Sequence, residues 1–163
     1  MLTIRLATEN DMSQVLQLIQ ELAIFEKEPD AVEVTIEDLK NDGFGTTPAF
    51  TAFVAEKEGA VVGLALFYYR YSTWKGKTIH LEDLIVTETA RGNGVGKALL
   101  TEVIKYGYTK KVKRIEWNVL DWNTPAIEFY ESNGAAVLRD WDVVQLNEQG
   151  IQNYINRLGD ANF

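Results

Sequence analysis

Cysteine is absent from this 163-residue chain, and histidine occurs once, as His80. These absences exclude a thiolate nucleophile, a disulfide framework and a Cys/His zinc cluster, so chemistry here must use oxygen groups. Carboxylates alone can hold Mg²⁺ or Ca²⁺, but no segment carries the alternating Asp/Asn/Gly ligand pattern of a calcium loop, and no metal is expected. Proline is scarce, with three in the chain, and there is no repeat, linker or low-complexity tract. The expectation is one domain over residues 1–163. No apolar run approaches the roughly 20 residues that span a bilayer, and the N-terminus lacks a basic region followed by an apolar core. A cytoplasmic protein with no membrane partner is expected. Cations are outnumbered, 16 Lys and Arg against 24 Asp and Glu, for a net charge of −8. Phosphate-backbone binding draws its affinity from counterion release by clustered cations, so nucleic acid is not an expected partner; the same field favours a small cation such as a polyamine or basic amino acid.

What is present suits a packed core: 46% apolar residues, with four Trp, seven Tyr and seven Phe. Residues 2–7 read as a strand, and Thr8 with Asp11 forms a capping box that opens a helix to about Phe25. Val15, Leu18, Ile19, Leu22 and Phe25 recur at helical spacing and form its apolar face. A second box, Thr35 with Asp38, opens a short helix ending near Gly43. Strands follow at Phe50–Glu56, Val61–Tyr71 and Thr78–Val86, the first two joined across Glu58-Gly59. An amphipathic helix carrying Ala98, Leu99, Val103 and Ile104 comes next, then a strand over Arg114–Leu120. Asn123-Thr124-Pro125 starts a helix ending at Asn133-Gly134, and Val137–Leu146 suggests one or two final strands. The order βααβββαβαβ predicts an α/β (α+β) fold, a twisted mixed, mostly antiparallel sheet with helices on both faces.

Arg91-Gly92-Asn93-Gly94-Val95-Gly96-Lys97 lies between a strand and a helix. Unpaired N–H groups and the positive helix end would there surround an anion such as a pyrophosphate, with Arg91 and Lys97 adding charge. Two better-known phosphate motifs fit poorly. A Walker loop needs four residues between its first Gly and the Gly-Lys, and Ser or Thr after the Lys; here there are three, followed by Ala98. The dinucleotide fingerprint is G-x-G-x-x-G in a first βαβ unit, whereas these glycines run G-x-G-x-G in mid-chain.

Arg91-x-x-Gly94-x-Gly96 resembles the R/Q-x-x-G-x-G/A signature of the GNAT acetyltransferases. The likeness extends over almost the whole chain. Leu39-Lys-Asn-Asp-Gly-Phe-Gly45, Tyr71-Ser-Thr-Trp-Lys-Gly76, His80-Leu-Glu-Asp83 and Val119-Leu-Asp-Trp-Asn123 resemble the diamine (spermidine/spermine) acetyltransferase group, and the second and fourth are most similar to its thialysine N-ε-acetyltransferase branch. The resemblance implies acetyl-CoA as co-substrate: amides of Leu84, Ile85 and Val86 bind pantetheine and the acetyl carbonyl, Arg91, Gly92, Asn93, Gly94, Val95, Gly96 and Lys97 hold the pyrophosphate, and Asn123 faces the coenzyme. Tyr130 takes the position of the general acid that protonates the departing thiolate. Glu82 stands near the amine, and Phe25, Glu26, Ser72, Trp74, Asp83 and Trp141 line the acceptor site. A homodimer is also implied.

An alkylammonium titrates near 10.4 and cannot attack while protonated, so a carboxylate must take its proton directly or through water. Glu82 and Asp83 are consecutive on a strand and are expected to face opposite sides of the sheet. Glu26 offers charge and Trp74 a face for a cation. Ser72 departs from the polyamine branch, which carries Asp there, and this weakens selection for a second, distant ammonium. His80 reads as an exposed strand residue, and Lys110, Lys111, Lys113 and Arg114 as solvated surface after a helix. The expected activity is direct acetyl transfer to the primary amine of a lysine-like amino acid or diamine. The alternatives are a polyamine N1-acetyltransferase and a non-catalytic acyl-CoA-binding module, the latter disfavoured by the presence of both Glu82 and Tyr130.

Overall fold

The computed structural model describes residues 1–158. They fall into two compact units, Met1–Leu120 and a second that begins at Asp121. In the first, strands β1 (Leu2–Leu6), β2 (Thr51–Lys57), β3 (Ala60–Ser72), β4 (Gly76–Val86) and β5 (Ile115–Glu116) form one sheet in the order β1-β2-β3-β4-β5. Neighbours are antiparallel except β4 and β5, which are parallel. The mixed, mostly antiparallel sheet matches the sequence expectation.

Strand alternation explains why helices cover both faces. Val54, Leu64, Leu66 and Ile85 join Met12, Val15 and Leu18 of α1 (Met12–Phe25) and Leu39 of α2 (Ile36–Phe44) in one buried cluster. The intervening positions turn to α3 (Val95–Thr109). There Gly63 is needed for close approach, because a Cβ on it would lie 2.9 Å from Leu99 Cδ1 and 3.2 Å from the Ile85 carbonyl. Ile104, expected on the apolar side of α3, is 46% exposed.

Both capping boxes form. Thr8 opens a short 3-10 turn, Glu9–Asp11, that leads into α1, and the Thr35 side chain accepts from the Asp38 N–H. Asp11 is buried, and its carboxylate accepts two hydrogen bonds from Arg5, at 2.8 and 2.9 Å, and one from the Thr8 N–H. Arg5 is the main reason the Asp11 carboxyl is held down at about 2. The strand predicted over Arg114–Leu120 is real only at Ile115–Glu116.

In the second unit, α4 (Thr124–Ser132) starts at Asn123, whose Oδ1 accepts from the Ala126 N–H, with Pro125 in the first turn. The strands predicted at Val137–Leu146 are absent: residues 135–147 carry no regular structure. Alternating apolar residues make a strand only where a ladder pairs their backbone, and among the described residues none does. Leu138, Trp141, Val143 and Val144 stay exposed. The sequence reading also missed α5 (Glu148–Leu158), which the Asn147 side chain opens by accepting from the Gly150 N–H.

Candidate active site

The C-terminal half of β4 organises the site. Its pairing with β5 covers only Ile79↔Ile115 and His80↔Glu116, so from Leu81 to Val86 it pairs with β3 alone among the described residues. An open strand edge presents free N–H and C=O groups to an extended ligand. Leu84, Ile85 and Val86, the expected pantetheine-binding residues, lie along this stretch.

Beyond β4 a 3-10 turn, Glu88–Ala90, leads into the glycine loop. Gly92 and Gly94 adopt φ of +78° and +76°, a region open to glycine and strained for other residues, and nothing lies within 4 Å of where a Cβ would sit on either. Gly94 is the N-cap of α3, whose first backbone bond is Ala98 N–H to the Gly94 carbonyl at 3.0 Å. The amides of Val95, Gly96 and Lys97 precede that bond and form the free, positive start of a 15-residue helix. Asn93 braces the loop by donating to the Ala90 and Arg91 carbonyls. Arg91 keeps its backbone in the loop but turns its guanidinium onto the strand end: Nε donates to the Val86 carbonyl at 2.8 Å, Nη2 lies 3.6 Å from Glu21, and the group sits 5.5 Å over the Phe25 ring. Glu21 also accepts from the Thr87 hydroxyl and the Glu88 N–H, fixing where the loop begins.

The acidic residues meet on the α1 side of β4. Leu66 pairs with Asp83 and Phe67 with Leu81, so Glu82 is the extra residue of a β-bulge. A bulge breaks strand alternation, and the expectation that Glu82 and Asp83 face opposite sides is overturned. Asp83 stands opposite Leu66, a member of the α1 core, while Glu82 accepts from the hydroxyl of Tyr68, two residues further on the same face, at 2.8 Å. Burial, then Glu82, then Glu26 push the Asp83 carboxyl up to about 6. Partial desolvation also raises Glu26, at the C-terminus of α1. The Tyr68 phenol, pushed up to about 12 by burial and by Glu82, stays a protonated donor. His80 is 7% exposed, which corrects its reading as an exposed residue; its Nε2 lies 3.5 Å from the same Glu82 oxygen.

Glu26, Glu82 and Asp83 therefore share one electrostatic site. Ser72 and Trp74 do not join it within one chain. They sit at the β3–β4 hairpin tip, and Gly76 to Glu82 is six strand residues, about 20 Å at roughly 3.3 Å each. Ser72 Oγ accepts from the N–H groups of Trp74 and Lys75 at 3.2 Å, so it shapes the turn, and Trp74 is 81% exposed. Asn123, Tyr130 and Trp141 belong to the second unit. Tyr130 is half-buried on α4 with its ring 5.4 Å from that of Phe129, and Trp141 is exposed in the irregular segment. Sequence reasoning missed Glu21 and Tyr68, whose partners are distant in sequence, and misread His80, whose burial depends on the strands on either side of it. Among the described residues no group of three His, Asp or Glu has metal-binding geometry, and no helix is long and apolar enough to cross a membrane.

Residues 12–135 match the model of the acetyltransferase (GNAT) family. The chain is 41% identical over 145 residues to a thialysine N-epsilon-acetyltransferase of Bos taurus, covering 84% of this chain and 85% of the relative. It is 35% identical over 156 residues to the spermidine/spermine N(1)-acetyltransferase-like protein 1 of Homo sapiens, covering 90% of this chain and 22% of that longer protein. An aminoglycoside N-acetyltransferase solved in complex with CoA shares the fold, with a TM-score of 0.72 at 18% identity over 89% of this chain and 94% of the other.

Proposed function

The chain belongs to the GNAT acetyltransferase family, and from that premise we propose that it transfers acetyl from acetyl-CoA to the side-chain amine of thialysine or a similar lysine-like amino acid. The observation that carries this is the open edge of β4 running into a left-handed glycine loop at the start of α3, with three carboxylates clustered by the same strand. The donors fit the ligand. Free helix-start amides suit a pyrophosphate, and the open edge suits the amide-bearing pantetheine arm.

Bound there, acetyl-CoA supplies a thioester-activated acetyl group. The chain's residues do the rest. Glu26, Glu82 and Asp83 draw in the cationic acceptor, and Glu82 takes a proton from its ammonium, directly or through one water. The freed nitrogen attacks while amides of Leu84, Ile85 and Val86 steady the charge on the carbonyl oxygen. The Tyr130 hydroxyl gives its proton to the departing sulfur, and the second proton that the nitrogen sheds as the amide forms restores the phenol. No acyl-enzyme is needed, because holding both substrates together supplies an effective molarity of about 10⁵ M or more in favourable cases.

The proposal includes a cytoplasmic homodimer in which residues 1–163 of each chain act as one domain. Two features support the dimer. Leu138, Trp141, Val143, Val144, Ile151 and Tyr154 leave apolar surface that a second copy would cover. Ser72 and Trp74, too far from Glu82 in their own chain, would reach the acceptor site of the other. Polyamine acetylation is the second reading, favoured by the acidic cluster and weakened by the neutral Ser72.

A panel of amines, followed by free-thiol release from acetyl-CoA, tests the reading. Thialysine and lysine-like amino acids should exceed spermidine and spermine in kcat/KM, and at about 100 times its Kd the coenzyme should stabilise the fold by about 2.7 kcal/mol. An unchanged Tm at millimolar acetyl-CoA would overturn it.

A further inference from the structure

We propose that His80 is a positioning residue for the amine-activating carboxylate: with the Tyr68 hydroxyl, its imidazole holds Oε2 of Glu82, leaving Oε1 to take the substrate's proton. This rests on the reading of Glu82 as the base.

The starting point is an unbalanced buried group. Asp11, Thr78 and His80 are the buried polar residues described. Asp11 is satisfied by Arg5 and Thr8, and the Thr78 hydroxyl donates to the Arg70 carbonyl at 2.9 Å. His80 is not satisfied, since its buried Nδ1 has no hydrogen-bond partner among the described residues. Buried polar atoms are nearly always paired, and an exception calls for a reason.

The surroundings leave one role. Tyr68 stands beside the ring, with centroids 5.4 Å apart and planes inclined by 35°. On the other flank, the Glu116 carboxylate is already taken by Arg70 at 2.6 Å and Arg114 at 3.1 Å. Glu82, with Oε2 3.5 Å from Nε2, is the carboxylate paired with the imidazole. Placing the ring hydrogen on Nδ1 would bury a donor without an acceptor, whereas a lone pair left there costs less. The ring therefore carries a hydrogen on Nε2, 3.5 Å from Glu82 Oε2. That is long for a hydrogen bond, as catalytic contacts often are before substrate tightens them.

Glu82 needs such a tether. Its side chain is half exposed, and the terminal torsion of Glu has a broad, soft profile. Two donors on one oxygen fix the carboxylate plane. Oε1 keeps its lone pairs. As the ammonium N–H bond breaks, the proton passes to Oε1 and the electron pair stays on nitrogen for attack; His80 neither gains nor loses a proton.

The test compares His80→Phe, His80→Gln and His80→Asn, each alone and with Glu82→Gln. Phe keeps a ring beside Tyr68 and removes both nitrogens, so Tm should hold or rise while kcat falls about tenfold, a share of the 10²–10⁴-fold that general-base catalysis supplies. The KM for acetyl-CoA should not move. Gln, whose amide nitrogen reaches the place of Nε2, should recover most of the rate; Asn, which reaches only the place of Nδ1, should not. With Glu82→Gln present, His80→Phe should cost nothing further, because residues that act through one another are not additive. Wild-type kcat in His80→Phe, or an equal loss in the Glu82→Gln background, would overturn the proposal. If Glu82→Gln alone kept full activity, the reading of Glu82 as base would fall first and the tether with it.

Discussion

Replacing Asp83 by Asn asks what it costs the fold to keep a charge beside two other carboxylates. The Asp83 carboxyl stands at about 6 in the folded chain against an ordinary 3.8, with burial the largest cause, then Glu82, then Glu26. The folded state therefore binds this proton more tightly than the unfolded state does. Raising the pH strips the proton from the unfolded chain first, so stability is fully present below about 3.8 and falls until about 6. At about 1.4 kcal/mol per pH unit the difference amounts to about 3 kcal/mol above pH 6. Asn has nearly the same shape and no charge at any pH. Relative to wild type, Asp83→Asn should thus gain about 2.5 kcal/mol between pH 4, where part of the difference is already present, and pH 7.5, or roughly 5–10 °C in Tm at 2–4 °C per kcal/mol. Urea titrations of both proteins at the two pH values, at one protein concentration, measure it. The Arg5–Asp11 pair is common to both proteins and cancels. Adding Glu82→Gln should shrink the gain without abolishing it, because burial outweighs the neighbouring charge. A stability difference that is the same at pH 4 and pH 7.5 would refute the reasoning.

Two further outcomes follow from the proposed chemistry. Tyr130→Phe should keep affinity for acetyl-CoA and lose about 10²-fold or more in kcat, since only the hydroxyl proton is removed; wild-type turnover would take Tyr130 out of the mechanism. Ser72→Asp should fold normally, because Asp can accept from the same Trp74 and Lys75 N–H groups that Ser72 holds. It should raise kcat/KM for spermidine relative to thialysine by one to two decades, as a charge about 4 Å from an ammonium contributes about 1–4 kcal/mol before desolvation. Strong spermine activity in the wild type, untouched by the substitution, would defeat both the Ser72 argument and the choice of acceptor.

Local chemistry determined much of this protein from the sequence alone. Capping boxes at Thr8/Asp11 and Thr35/Asp38, the apolar face of α1 and the strand-loop-helix around Gly92–Lys97 depend on residues a few positions apart, so their spacing was enough. The family signature rests on the same short-range pattern, which is why the fold class and the enzyme class were legible without coordinates. Other features needed the tertiary structure, because they depend on partners far away in the chain. Residues 137–146 alternate like a strand, yet among the described residues no ladder pairs them. The bulge at Glu82 exists only in the register against β3, and it brings Glu82 and Asp83 to one face where alternation would separate them. His80 looks like an ordinary strand residue until pairing with β3 and β5 buries it with Nε2 beside Glu82. Sequence spacing specifies which groups a segment carries; the cost of burying them is set by what the rest of the chain packs against them.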